Sequence, residues 1–370
     1  MYGRSVRVDD VGTGPLFPAD GTWGKRLFRR VRSIGIVLVS LVLLTVLLPV
    51  ALVVALLVDV FLWLKRRKPF MAVRLVLMAE MFLLNELHGL IGVLVTYVSC
   101  LGRDIPRRRR MIYGLRMRWC AIHLGSIRVL FGLRFSAEGL ELAADGPVLI
   151  LIRHTSIIDN MLGDAVISRA NDLGLRYVLK RELQMLPAID IGGRWVPTSF
   201  VKRASSDSAG EIAKLRTLAH DMGRDEGLLI YPEGTRWTAE KLARAQAIIQ
   251  ERQPDVAPLA NQLKNLLPPR LGGPLALLDE ARGTDVVVCG HIGLDGFEFI
   301  SDIWSGALVH TDVRVKLWRY PADEVPHGER AMTEWLYEVW QKLDDWVGAQ
   351  RGDDTQAAAA TSASAASLRT

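Results

Sequence analysis

Two long apolar segments near the N-terminus dominate the pattern of hydrophobic and polar positions. The first, residues 34–64, consists mostly of leucine and valine and carries no charge before Asp59. An uncharged run of this length exceeds the roughly 20 residues that a helix needs to cross a bilayer, so it predicts a membrane-embedded helix. Pro49 lies near its middle and predicts either a kinked, tilted helix or a re-entrant hairpin.

The second apolar segment, residues 70–101, is interrupted by the charged or titratable side chains Arg74, Glu80, Glu86 and His88. Charged groups near the centre of a bilayer are costly. The pattern therefore favours a helix that packs against the first one and lies partly in the membrane interface. Together, residues 34–101 are predicted to form the membrane-embedded part of the chain.

Basic clusters flank both segments. Residues 1–33 are polar and end in lysines and arginines, which predicts a basic flexible arm, and residues 65–68 and 103–110 are also basic. Positive charge on every flank leaves the orientation in the membrane open. Arginines alternate with apolar residues over 107–131, which predicts a basic amphipathic helix on an anionic bilayer. A nucleic-acid-binding patch is disfavoured because a membrane segment adjoins it and no nucleic-acid fold signature is present.

Short apolar runs alternate with helical patterns over residues 102–346. This alternation predicts an α/β domain whose mostly parallel sheet is flanked by helices. The tail, residues 347–370, is rich in alanine and serine without periodicity and is predicted to be disordered. The predicted strands are 147–152, 175–180, 198–201, 227–231 and 285–289, and the predicted helices are 157–170, 208–222, 237–252, 274–281 and 330–347.

Composition adds two constraints. Half of the 370 residues are hydrophobic, and the formal net charge is +6. The three cysteines, Cys100, Cys120 and Cys289, are too few and too scattered for a disulfide framework or a metal cluster, and they indicate a reducing compartment.

The first candidate for chemistry follows the predicted strand 147–152. His154 comes just after that strand, and Asp159 follows it by five residues. On one continuous helix the two side chains would not share a face, so they meet only if the histidine lies in the loop and the aspartate begins the next helix. The alternative is a capping role, in which Asp159 reaches back to Ser156.

The second candidate follows the predicted strand 227–231. The sequence Tyr-Pro-Glu-Gly-Thr-Arg occupies residues 231–236 and precedes a predicted helix. By itself it is also compatible with an ordinary turn followed by a solvated arginine. Since parallel strands place their carboxyl ends at one sheet edge, however, both motifs are expected to meet there.

Together the two motifs resemble the lysophospholipid acyltransferase superfamily, in particular the 1-acylglycerol-3-phosphate acyltransferases. His154 and Asp159 match the family's His-x4-Asp, and residues 231–236 match its Phe/Tyr-Pro-Glu-Gly-Thr-Arg without change. The resemblance covers about residues 111–346. It implies a glycerolipid acyltransferase-like fold, with acyl-CoA or acyl-carrier protein as co-substrate and with no cofactor or metal.

The resemblance also implies the groups that bind substrate. Lys180 begins a Lys-x-Glu-Leu sequence and Arg203 ends a Phe-x-x-Arg sequence, as in the family's second motif. A phosphate needs several charge-assisted donors, which lysine and arginine supply. A plain surface charge is the alternative for either residue. Glu233 is expected to order the loop after the strand. The substrate-binding candidates are Lys180, Arg203, Glu233, Gly234, Thr235 and Arg236.

Two positions depart from the family pattern. Arg153 stands where the family commonly has asparagine, and it is expected either to add an anion contact or to narrow the set of acceptors. His291 follows the predicted strand 285–289, where the usual proline of the fourth motif is missing. A packed or capping histidine is the expected role there.

These residues predict a mechanism. A neutral His154 takes the proton of a glycerol hydroxyl, and Asp159 holds the imidazole tautomer. The hydroxyl attacks the acyl thioester directly, without a covalent acyl-enzyme. We expect a lysophospholipid acceptor and a catalytic domain on the cytoplasmic face of a membrane. The alternatives are an acyltransferase for a lysophospholipid with a larger head group, and a catalytically silent membrane scaffold.

Overall fold

A seven-stranded, mostly parallel sheet forms the centre of the molecule. The computed structural model describes residues 17, 21–101, 105–201, 208–297 and 299–367. Within them the strand order is β1-β7-β6-β2-β5-β3-β4, and β7 alone runs antiparallel to a neighbour, β6. The predicted α/β class is confirmed. The strands are β1 (Arg134–Glu138), β2 (Val148–Ile152), β3 (Gly174–Lys180), β4 (Thr198–Val201), β5 (Glu226–Ile230), β6 (Asp285–Ile292) and β7 (Asp312–Tyr320).

Helices cover both faces of this sheet. A π-helical turn, Gly163–Ser168, joins two of them into one continuous element after β2. The helices are α1 (Trp23–Arg66), α2 (Met71–Cys100), α3 (Ile105–Phe131), α4 (Asp159–Leu162), α5 (Arg169–Asn171), α6 (Pro187–Gly192), α7 (Ser208–Ala219), α8 (Ala239–Arg252), α9 (Ala257–Ala260), α10 (Gly272–Glu280), α11 (Ile300–Ile303) and α12 (Glu329–Ser367).

Strand β2 divides the core. Ile150 and Ile152 pack on the face that α3 and α4 cover, whereas Leu149 and Leu151 pack on the face that α10 and α12 cover. A central parallel strand is buried on both faces, so its sequence is a continuous apolar run. That pattern is what predicted β2 from the sequence. Strands β1 and β7 were not predicted because charged residues alternate with their apolar ones.

The predicted flexible arm ends earlier than expected. Helix α1 begins at Trp23 and continues without interruption past Pro49 to Arg66, so it forms no re-entrant hairpin. Near its start Arg29 and Arg30 form ion pairs of 2.7 and 2.9 Å with the buried carboxylate of Asp190 on α6. The rest of the predicted arm, except Phe17, Gly21 and Thr22, lies outside the described residues.

Helix α2 turns its acidic side chains towards its neighbours. The carboxylate of Asp59, on α1, accepts hydrogen bonds from the first amides of α2, those of Met71, Ala72 and Val73. Glu80 accepts a hydrogen bond of 2.6 Å from Thr45 on α1. Asp59 on α1 and Glu80 on α2 thus join the two helices. Both helices are long and apolar enough to cross a membrane.

Helix α3 differs from the predicted amphipathic surface helix. It lies between α2 and the α/β domain, and the side chains of Arg109, Tyr113 and Cys120 are buried. The Tyr113 hydroxyl donates to Glu226 of β5 at 2.8 Å, and Arg116 forms a 2.9 Å ion pair with the buried Asp164. The ion pair of Arg116 therefore links α3 to the α/β domain.

The last helix extends past the predicted domain end at residue 346. Val347 is fully buried, and Arg351 forms a 2.9 Å ion pair with Asp295. The described part of the predicted disordered tail, up to Ser367, continues α12 as a helix. Alanine has the highest helix propensity, so an alanine-rich segment extends a helix that packing has already formed.

Candidate active site

The candidate residues meet at the carboxyl edge of the sheet. The strands β6, β2, β5 and β3 are neighbours in that order, and each ends at a polar side chain or a polar loop. His154 follows β2, and the loop 231–236 follows β5. Lys180 is the last residue of β3, and His291 is the next-to-last residue of β6. Arg203 lies outside the described residues, so its predicted role stays a prediction.

His154 and Asp159 adopt the predicted arrangement, with the histidine in the loop and the aspartate at the first position of α4. Nδ1 of His154 lies 3.2 Å from Oδ2 of Asp159. The same oxygen accepts the amide hydrogens of Thr155 and Ser156 at 2.5 and 2.7 Å. The carboxylate therefore both caps the turn and contacts the imidazole. The two alternatives raised by the sequence are present at the same time.

Tyr231 completes this contact, a role that the sequence did not reveal. Its ring lies against that of His154 with centroids 4.2 Å apart, and its hydroxyl donates to the main-chain oxygen of Asp159 at 3.1 Å. A second link runs from the Trp237 amide to the main-chain oxygen of His154 at 2.8 Å. The loop after β5 is thus fastened to the histidine.

Main-chain hydrogen bonds hold the 231–236 loop. The Gly234 amide donates to the oxygen of Tyr231 at 2.9 Å, and the Arg270 amide donates to that of Pro232 at 2.8 Å. Gly234 has φ +66°, and a Cβ there would lie 2.7 Å from Cδ of Arg270, so glycine is required. Gly234 is exposed, and Thr235 and Arg236 are half-buried beside it.

Glu233 does not order this loop by hydrogen bonds, contrary to expectation. Its carboxylate is buried, and within the described part of the chain no hydrogen bond of good geometry reaches either oxygen. Burial raises the pKa of Glu233 well above its usual range, an effect that the Arg153 guanidinium and the His154 amide only partly offset.

The charges at the site set the basicity of the imidazole. Burial lowers the pKa of His154 below 6.5; Asp159 opposes that shift, and the positive charges of Arg236 and Lys180 add to it. Burial alone would raise the pKa of Asp159, but His291, His154 and the Ser156 amide outweigh it and keep the pKa low. At neutral pH the pair is thus a neutral imidazole beside a carboxylate.

Arg153 does not face an open anion site. Its side chain is fully buried, and the guanidinium donates to the main-chain oxygen of His291 at 2.6 Å and pairs with Asp295 at 2.6 Å. Of the two alternatives raised for Arg153, the structure therefore does not support a direct anion contact. In the described part of the chain no cluster of three or more metal-ligating side chains is present.

Comparison with known proteins supports the family resemblance. Residues 134–258 match the family model described as Acyltransferase. Over 211 residues the chain is 28% identical to 1-acyl-sn-glycerol-3-phosphate acyltransferase epsilon of Mus musculus, which covers 53% of this chain and 56% of that protein. Over 248 residues it is 23% identical to 1-acyl-sn-glycerol-3-phosphate acyltransferase 3 of Arabidopsis thaliana, with 65% and 63% covered.

The acyltransferase match over residues 134–258 and these two relatives support the family resemblance drawn from the sequence motifs. The chain spans less than two thirds of the length of these two acyltransferases. It is also similar to the crystal structure of the 1-acyl-sn-glycerophosphate acyltransferase PlsC from Thermotoga maritima. In that comparison the TM-score is 0.45, the identity is 16%, and 73% of this chain and 95% of that chain are covered.

Sequence reasoning missed the residues around Arg153. Asp295 follows β6, Asn265 follows α9, and Arg351 lies on α12; all three contact Arg153 or its partner Asp295. No short motif marks them, since they are far apart in the sequence. The one available signal was Arg153 itself, because a buried arginine requires acceptors.

Proposed function

We propose that the protein transfers a fatty acyl group from acyl-CoA or acyl-carrier protein to the free hydroxyl of 1-acylglycerol-3-phosphate, giving phosphatidic acid. The observation that carries this proposal is the neutral His154 held by Asp159, with the charges of Lys180 and Arg236 close enough to affect its pKa. A base beside two cations suits an acceptor that carries both a hydroxyl and a phosphate.

The chemistry follows from the tautomer of the imidazole. Asp159 accepts the proton on Nδ1, so the lone pair of His154 is on Nε2. Nε2 takes the proton of the acceptor hydroxyl while the oxygen attacks the thioester carbonyl. The C–S bond of the tetrahedral adduct then breaks, and the imidazolium returns the proton to the leaving thiolate. An ester and a free thiol result, with no covalent intermediate on the enzyme.

Arg236→Ala tests the phosphate contact and the electrostatics together. Loss of a charge-assisted hydrogen bond should raise the KM for 1-acylglycerol-3-phosphate about tenfold or more. The KM for monoacylglycerol, which has no phosphate, should change little. Removal of a nearby positive charge should also raise the pKa of His154, so the acidic limb of the kcat/KM profile should move to higher pH.

The sign of that shift is fixed by the role of the base. A protonated imidazole cannot accept a proton, so activity falls as the pH drops through the pKa of His154, which lies below 6.5. Lys180→Met serves as the matched variant and should move the limb in the same direction. Equal KM increases for both acceptors, with an unmoved limb, would contradict the assigned role of Arg236.

The acceptor is identified by direct assay. Purified protein, labelled acyl-CoA and a panel of lysophospholipids should give the fastest turnover with 1-acylglycerol-3-phosphate. Faster turnover of lysophosphatidylinositol would favour the alternative, an acyltransferase for a larger head group. If no lysophospholipid is acylated, the proposal fails and the silent scaffold replaces it.

The position of α1 supports attachment along the membrane surface. Its first turns bind Asp190 through Arg29 and Arg30. Just past its other end, Lys68 lies 4.2 Å from the ring centroid of Trp304. A 44-residue helix is about 66 Å long. The α/β domain contacts α1 near both of its ends. A helix that crossed the bilayer perpendicularly would leave the domain at one end only, so this arrangement does not fit α1.

We therefore expect α1 and α2 to be embedded from the cytoplasmic side, with both ends of α1 on that side. Single cysteines in place of Thr22 and Arg67, in a variant without the native cysteines, should react equally with a membrane-impermeant maleimide in inside-out vesicles. Both should be protected in right-side-out vesicles. Opposite protection of the two sites would show that α1 crosses the bilayer.

A further inference from the structure

The catalytic carboxylate has two oxygens, and the mechanism above uses one. Oδ2 of Asp159 faces His154 and two main-chain amides. Oδ1 accepts no hydrogen bond from the described residues, and Nε2 of His291 lies 3.6 Å from it. Asp159 and His291 are both completely buried, so water does not screen this contact.

His291 is held in place on two sides. Its Nε2 lies 3.0 Å from the main-chain oxygen of Arg153, and its own main-chain oxygen accepts a hydrogen bond of 2.6 Å from the Arg153 side chain. This reciprocal pair joins the ends of β2 and β6. Arg153 is fixed in turn by Asp295, which also binds Arg351 of α12. The histidine ring is therefore directed at Asp159 by the fold.

We infer that His291 is a positioning residue for the acyl transfer: its Nε2–H, which donates to the main-chain oxygen of Arg153, also turns its positive edge towards Oδ1 of Asp159 at 3.6 Å and so favours the orientation in which Oδ2 faces Nδ1 of His154. This inference rests on the proposed function. The amides of Thr155 and Ser156 already hold Oδ2, and a positive group beside Oδ1 further disfavours rotation of the carboxylate about its Cβ–Cγ bond. With the carboxylate orientation held, the base keeps one tautomer and one orientation, as catalysis requires.

The same contact affects the basicity of His154. The positive end of the His291 ring N–H partly offsets the negative charge of Asp159. Less of that negative charge is then left to stabilise a protonated His154. Removing that N–H should therefore raise the pKa of His154 and move the acidic limb of kcat/KM to higher pH. The other charged or titratable groups around the pair are Arg153, Lys180, Tyr231, Glu233, Arg236, Cys289, Asp295 and Arg351.

Two substitutions separate positioning from packing. His291→Leu preserves an apolar volume but removes the donor, so we expect kcat to fall about tenfold with an unchanged acceptor KM and a limb shifted to higher pH. His291→Gln keeps an N–H close to the position of Nε2 and should restore kcat and the limb to within about twofold of the wild type. Steady-state kinetics across pH on the full-length protein measure both.

His123→Leu is the matched control. His123 is also a buried histidine, but it packs on Trp119 and Phe82 in the helical region, and burial lowers its pKa to about 4. It should therefore change thermal stability without moving the acidic limb. If His291→Leu does not fold, His291→Asn takes its place, because its shorter amide stops short of Asp159.

The outcomes are distinct. A shifted limb and a lower kcat in His291→Leu, both restored in His291→Gln, support the inference. Wild-type kinetics in the leucine variant, or equal losses in both variants with an unmoved limb, overturn it. An absence of acyl transfer in the wild-type protein would instead reject the proposed function on which the inference rests.

Discussion

His154→Ala should reduce acyl transfer by about 10²- to 10⁴-fold, the range that a positioned general base contributes. The acceptor hydroxyl then has no group to take its proton, while the binding cations remain. Folding should be retained because Oδ2 of Asp159 still accepts the amide hydrogens of Thr155 and Ser156. Initial rates with labelled acyl-CoA, together with circular-dichroism melting curves, measure both effects.

The control for this substitution is His220→Ala. His220 is an exposed histidine on the turn after α7, far in the fold from the carboxyl edge of the sheet. Its replacement should leave turnover at the wild-type level. Undiminished turnover in the folded His154→Ala protein would reject the general-base mechanism, and equal losses in both variants would point to a general effect of histidine removal.

Arg176→Met should cause the largest loss of stability. Arg176 and Glu226 are fully buried and form an ion pair of 2.6 Å. The guanidinium also donates to the main-chain oxygens of Leu218, His220 and Asp221. Removing it leaves a buried carboxylate and three carbonyl groups without this donor, which typically costs about 3–5 kcal/mol. The apparent melting temperature should fall by about 10 °C.

Arg134→Met is the matched control because Arg134 forms an exposed ion pair with Asp312 at the sheet edge. Water screens such a pair, so its loss should leave the melting temperature unchanged within error. Thermal unfolding of the three detergent-solubilised proteins provides the comparison. Equal melting temperatures for wild type and Arg176→Met would show that the buried pair contributes no net stability.

The catalytic centre could be predicted from the sequence because its parts are local. His154 and Asp159 are five residues apart, and the turn between them is held by the aspartate itself. The apolar runs before residues 154 and 231 identified two neighbouring parallel strands. Since such strands end at one sheet edge, both motifs were expected there, and the structure places them there.

The position of α3 could not be predicted in the same way. Its alternation of arginines and apolar residues is typical of a surface helix, yet Arg109 and Tyr113 are buried. The partner of Tyr113 is Glu226, an acidic residue on β5 that lies 113 positions away along the chain. Hydrophobic periodicity predicts which apolar residues are buried, but it does not predict buried ion pairs.

The sequence alone therefore determined the parallel sheet, the membrane-directed N-terminal segment and the two motifs, because each depends on contacts or patterns within a few residues. The tertiary structure alone decided that His291 contacts Asp159, that Arg153 is a buried structural cation and that α12 reaches the site through Arg351. These contacts join strand ends and a helix whose contacting residues are separated by 56 to 142 positions along the chain. No local propensity specifies which distant acceptor a buried charge will find; chain packing does.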